Sequence, residues 1–179
     1  MNDRPTSVYR RGADDGLYLG PLMALAVVLT GATAYVAWLA LPAIAALVAV
    51  PALVYVRLRR SYRADPLRGT LSALWLEGIC AFFLGGLVMA LVAYVGMRWV
   101  CPTFIPDQFR MVIEVYSSAP GEGAREMAAT LQRAVDARML PTPIEMALEL
   151  LYVAVFSGSL LSVAIAAVIR RRPLPPPVR

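Results

Sequence analysis

The chain has no histidine and no lysine; all 17 of its basic residues are arginine. It therefore lacks the commonest acid–base side chain at neutral pH and the commonest metal ligand. It also lacks the amine that forms Schiff bases with carbonyl substrates. The absence of lysine by itself reads as a trait of base composition. Cysteine occurs twice, at Cys80 and Cys101. Along one predicted helix that spacing is about 30 Å, too far for a disulfide. Two thiols without histidine make a poor zinc site. Cys80 reads as a small buried hydrophobe, and Cys101 as a free thiol or one that pairs with a partner. No glycine-rich phosphate loop, nucleophile elbow, Cys-x-x-Cys or His-Glu-x-x-His occurs. The expectation is a non-enzyme with no metal and no cofactor.

What the chain has in excess is apolar surface. Hydrophobic residues make up 59% of it, against roughly 45–50% in soluble domains. Leu17 to Ala40 is free of charge and exceeds the roughly 20 residues needed to span a bilayer. A signal peptide would have a shorter apolar core and a soluble domain behind it, whereas here further apolar segments follow. Leu41 to Val56 is a second run. Pro42 suits a first helical turn and disfavours continuation of the helix before it, so the two runs predict a hairpin turning at Ala40–Pro42. Pro51 is expected to kink the second helix, with neighbours meeting the freed carbonyl. Thr70 to about Met97 is the third span, with Trp75, Tyr94 and Trp99 near its ends, where aromatic belts form. The fourth runs from about Ile144 to Ile169.

Segments 98–142 and 170–179 differ from the spans. In the first, Phe109, Val112, Ile113 and Tyr116 recur at helical spacing. Ser117–Gly121 breaks that helix, and Met127, Leu131, Ala134 and Val135 mark a second amphipathic face. In the second, Arg170, Arg171 and Arg172 precede a tail with four prolines from Pro173 on, expected to be extended or disordered. The predicted architecture is all-α: an integral membrane four-helix bundle with two amphipathic helices between spans 3 and 4. In segments it reads 1–16 polar, 17–56 hairpin, 57–69 basic loop, 70–97 span 3, 98–142 amphipathic, 143–169 span 4 and 170–179 basic tail.

Arginine placement predicts orientation. Twelve arginines lie in residues 1–16, 57–69 and 170–179, and five in the 98–142 segment. Short arginine-rich loops stay in the cytoplasm. Both termini are expected there, in an inner membrane, with 98–142 outside. Arg57, Arg59, Arg60, Arg63, Arg68, Arg170, Arg171 and Arg172 then face anionic lipid headgroups. They hug membrane ends and form no separate patch, which argues against nucleic acid as the partner.

Few residues inside the spans carry chemistry. Glu77 is the one acid well inside a span, and such acids are functional candidates by default. It lies about 10 Å into its helix, so pairing with an arginine of the 57–68 loop, or reaching the headgroups, is the simpler reading. Glu145 and Glu149 share a helix face. The helix N-terminus accounts for Glu145, and Arg98 is a candidate partner for Glu149. A two-carboxylate cation site is the sharper alternative. Ala154, Gly158, Ser162 and Ala166 form a ridge of small residues for close helix packing, and Gly78, Gly85 and Gly86 offer similar surfaces on span 3.

The close first hairpin, the Arg57-Leu58-Arg59-Arg60-Ser61-Tyr62-Arg63 loop, the Pro102…Phe104-Ile105-Pro106-Asp107 segment, two external helices and a basic tail occur together over nearly the whole chain. This layout resembles an uncharacterised bacterial membrane family, "domain of unknown function 4199", typical of Bacteroidetes. The resemblance implies no activity and no site residues. Genes of that family often sit near a polyprenyl-phosphate type glycosyltransferase, which implies an accessory role and a membrane enzyme of that type as partner. The residues themselves favour a non-enzymatic accessory or scaffold subunit of envelope assembly. The alternative is a small transporter or channel using intramembrane carboxylates.

Overall fold

The computed structural model describes residues 7–65, 69–137 and 139–171, all helix, turn and connection, with no strand among them. In chain order the helices are α1 (Val8–Ala32), α2 (Ala40–Ala64), α3 (Leu71–Val95), α4 (Phe104–Ser118), α5 (Glu122–Asp136) and α6 (Pro143–Arg171). Four stretches are long and apolar enough to cross a membrane: Val8–Ala32, Ala37–Ala64, Leu71–Val100 and Pro143–Arg171. The chain divides into two compact units, Met1–Val92 with Glu149–Arg179, and Ala93–Leu148. Arg68, Arg172 and the proline-rich tail lie outside the described residues.

Several boundaries differ from the hydropathy reading, each for a local reason. α1 starts at Val8, not near Leu17, with the Ser7 side chain accepting from the Arg10 amide at 3.3 Å. Charged residues are tolerated in its first turns because other helices supply them with partners. α1 also ends early. Thr30 Oγ1 donates to the Ala26 carbonyl at 2.7 Å and Thr33 Oγ1 to the Thr30 carbonyl at 2.6 Å. Such hydroxyls compete with the backbone ladder. The chain turns after Ala32 and passes through a short 3₁₀ segment, Ala37–Leu39, before α2. The turn is therefore not at Ala40–Pro42, although Pro42 does occupy the first turn of α2. α2 runs through Pro51 to Ala64, so Arg57–Arg63 is helix and not loop. After α3 the chain widens into a π-turn, Gly96–Val100, closed by the Cys101 amide on the Gly96 carbonyl at 2.8 Å.

The first unit packs its helices through glycine. Gly12, Gly16 and Gly20 recur every four residues and form one stripe on α1. A Cβ on Gly12 would lie 2.6 Å from the Cys80 Cβ, and one on Gly20 2.8 Å from the Val88 Cβ. Backbones this close are what membrane helices use in place of a hydrophobic driving force. A second seam joins α3 to α6: Gly78 lies against Ser162, and Gly158 against the Phe82 ring. The core around these seams contains Leu19, Met23, Val54, Leu58, Leu74, Phe82 and Met89. Large apolar side chains also cover the outside of the helices: Leu41 is 77% exposed, Val48 62% and Leu160 61%. A surface apolar on this scale requires lipid or a partner as its solvent.

In the second unit α4 and α5 pack on each other as a hairpin. The link contains Gly121 at φ +120°, a conformation open to glycine and strained for other residues. Ile105 and Ala128 are buried, and Phe109, Ile113 and Leu131 are half-buried. Two 15-residue helices cannot bury all of both faces, and Val112, Val115, Tyr116 and Met127 remain exposed.

A candidate charge cluster at the arginine-rich end of the bundle

One end of the first unit brings together the start of α1, the end of α2 and the start of α3. On α1, Arg11 and Asp15 are four residues apart and share a face; on α2, Arg57 and Ser61 do the same. These two ladders meet through alternating charge. Arg57 Nη1 lies 3.5 Å from Asp15 Oδ1. Glu77 of α3 sits at the inner edge: its Oε2 accepts from Ser61 Oγ at 2.9 Å and lies 3.4 Å from Arg11 Nε. The Arg57 guanidinium also stacks 4.0 Å above the Tyr18 ring, a cation–π contact.

Glu77 is 1% exposed. Burying a lone carboxylate is costly, and a partner with good geometry offsets that cost. The cluster supplies two guanidiniums against two carboxylates, so it is neutral as a whole. It is not sealed: the Arg11 side chain is 25% exposed, Asp15 17% and Arg57 27%. A cleft lined by Asp15, Arg57, Leu58 and Gly78 leaves about 10 Å³ open to the centre of a water molecule, room for about one. Glu77 Oε1 and Arg11 Nε, both buried, have no hydrogen-bond partner among the described residues.

Glu77 thus belongs to a charge cluster, with partners that hydropathy does not reveal. The arginine beside it comes from the N-terminal segment and not from the 57–68 stretch, which contributes Ser61 instead. Arg11, Asp15, Tyr18 and Ser61 were not singled out from the sequence. Two signals point to Arg11 and Asp15: their four-residue spacing, and the glycine stripe that places both on one helix with Leu19 and Met23.

The other candidates fall elsewhere. Glu145 is exposed and accepts from the Thr142 amide at 2.7 Å and Thr142 Oγ1 at 2.9 Å, while its own amide donates to Thr142 Oγ1 at 3.4 Å. With Pro143 between them, this is a capping box with proline in the first turn, which occupies the carboxylate. Glu149 is exposed; it belongs to the first unit and Arg98 to the second. Arg59 lies over the Tyr55 ring at 5.8 Å, and Arg60, Arg63, Arg170 and Arg171 are exposed. On α6 the ridge turns inward: Ala154, Gly158, Ser162 and Ala166 are buried, with Ser162 Oγ donating to the Gly158 carbonyl at 2.7 Å. Among the described residues no three metal-type ligands come together.

With four helices long and apolar enough to cross a membrane and no strand among the described residues, the chain is a multi-pass membrane protein. The chain belongs to the family described as "Protein of unknown function (DUF4199)", whose profile matches residues 14–171. No curated protein and no solved structure matches it.

Proposed function

We propose that the chain is a non-enzymatic accessory or scaffold subunit for envelope assembly in a bacterial inner membrane. The observation that carries this reading is the fate of its charges: Arg11 pairs with Glu77 and Asp15 with Arg57, at the end of a bundle packed through glycine seams. What remains for function is outward-facing: apolar helix surfaces and the exposed face of the α4–α5 hairpin. With the arginine-rich ends in the cytoplasm, that hairpin lies outside, and the unpaired arginines meet anionic lipid. A polyprenyl-phosphate type glycosyltransferase is the kind of membrane enzyme such a subunit would accompany. Affinity purification from native membranes in mild detergent tests this. The expected result is a membrane protein recovered in stoichiometric amount; a chain that comes away alone counts against the reading.

A second reading, a small transporter or channel, is favoured by one observation: Glu77 keeps one buried oxygen without a partner. Intact transport after Glu77→Gln would remove it.

A further inference from the structure

We propose that Glu77 is an exchangeable proton site, open to the aqueous phase at the arginine-rich end of the bundle and reporting its pH to the start of α1. The inference does not rest on the accessory reading and holds whatever the chain accompanies.

Glu77 is 1% exposed, and only one of its two oxygens is met: Oε2 receives Ser61 and faces Arg11, whereas Oε1 has no partner. A buried polar atom in that condition costs free energy that a ligand would recover. The surroundings restrict what the ligand can be. A metal ion needs several oxygens, and Arg11 and Arg57 repel it. An anion would meet Glu77 and Asp15 and has no volume to occupy. A proton needs a single oxygen and no space.

The aqueous side is reached through the outer members of the cluster: Arg11, Asp15 and Arg57 are partly exposed, and a cleft with room for about one water is lined by Asp15, Arg57 and Gly78, the residue that follows Glu77. In the step itself a hydronium ion transfers its proton to Glu77 Oε1. One O–H bond forms and one breaks, and a water molecule is released. The cluster goes from neutral to a charge of +1. Ser61 can remain a donor to Oε2. Arg11 loses its counter-charge and, being partly exposed, can turn its guanidinium to solvent. Among the described residues, Asp15–Arg57 is then the ion pair that still ties α1 to its neighbours. The groups facing the site are known for each packed element. α1 brings Arg11, Asp15 and, beside Asp15, Asp14, and α2 brings Arg57, Arg60 and Ser61. α3 itself carries Cys80, and α6 has no acid or base from Leu150 to Ile169.

The test is infrared difference spectroscopy on the full chain in nanodiscs of a neutral phospholipid. The pH is stepped between about 8 and about 5. The expected result is a protonated-carboxyl band that Glu77→Gln abolishes and Ser61→Ala displaces, because that change removes the hydrogen bond to the same carboxyl. If Glu77→Gln does not fold, Ser61→Ala decides alone, since bands from exposed acids do not move with it. A spectrum in which neither variant alters any acid band overturns the proposal; Glu77 then stays ionised and Oε1 is merely hydrated.

Discussion

The contact between Gly158 and Phe82 gives a sharp test of how the bundle is held. A Cβ placed on Gly158 would overlap the Phe82 ring, less than 3 Å from three of its carbons. Phe82 is 3% exposed, so the ring has nowhere to go without moving its neighbours. Overpacking a closed core costs about 1–3 kcal/mol. Lipid supplies no hydrophobic force to press the helices back together, so the loss should appear in full. Gly158→Ala is expected to destabilise the bundle by about 2 kcal/mol, despite the gain in helix propensity of about 1 kcal/mol from replacing glycine. Gly123 of α5 is the control: it is exposed and helical, and an added Cβ there meets nothing within 4 Å. Gly123→Ala should be neutral or stabilising by about 0.4–1 kcal/mol. Adding Phe82→Leu to Gly158→Ala should recover part of the loss, a coupling that a double-mutant cycle measures. The assay is unfolding of the purified chain in mixed micelles, followed by tryptophan fluorescence. Equal stability of wild type and Gly158→Ala, or no coupling with Phe82→Leu, refutes the packing account.

Three further outcomes follow from the same geometry. Arg11→Ala strands a buried carboxylate and should cost about 3 kcal/mol, at the low end for a broken buried pair, because Arg11 is partly exposed; adding Glu77→Gln should recover much of it in the same unfolding assay. Thr142→Ala removes the capping box of α6 and should cost about 1 kcal/mol, while helicity measured by circular dichroism stays nearly unchanged. Cys101 is exposed and Cys80 is not, so a membrane-impermeant maleimide should label Cys101 alone. If the termini are cytoplasmic, labelling of intact cells should occur from outside; reaction only after lysis reverses the orientation.

How much of this was legible beforehand varies by feature. The number of spans and their approximate centres follow from hydropathy, because a bilayer imposes the same demand on every residue of a crossing segment; the two amphipathic helices follow from the periodicity of Phe109, Val112, Ile113 and Tyr116 and of Met127, Leu131, Ala134 and Val135, although Val112, Tyr116 and Met127 stay exposed. The inward face of the Ala154–Ala166 ridge is a periodic feature of the same kind. Helix ends were less legible. The charge-free run through Ala40 hides the turn after Ala32, since Thr30 and Thr33 end α1 by hydrogen bonds that hydropathy does not weigh. The charges of α1 mislead in the opposite direction, because Arg11 and Asp15 look like a solvated segment until their partners are known.

The amino-acid sequence by itself determined that this protein lives in a membrane, since apolar excess and span length depend on composition and order alone. It also marked Glu77 as the residue to explain. Only the tertiary structure decided what surrounds Glu77, because its partners Arg11 and Ser61 come from two other helices. Which helices meet is set by close approach at Gly12, Gly16, Gly20, Gly78 and Gly158. Reading the sequence locates the charge; the packing of small residues decides which charges face it and which of its oxygens is left open.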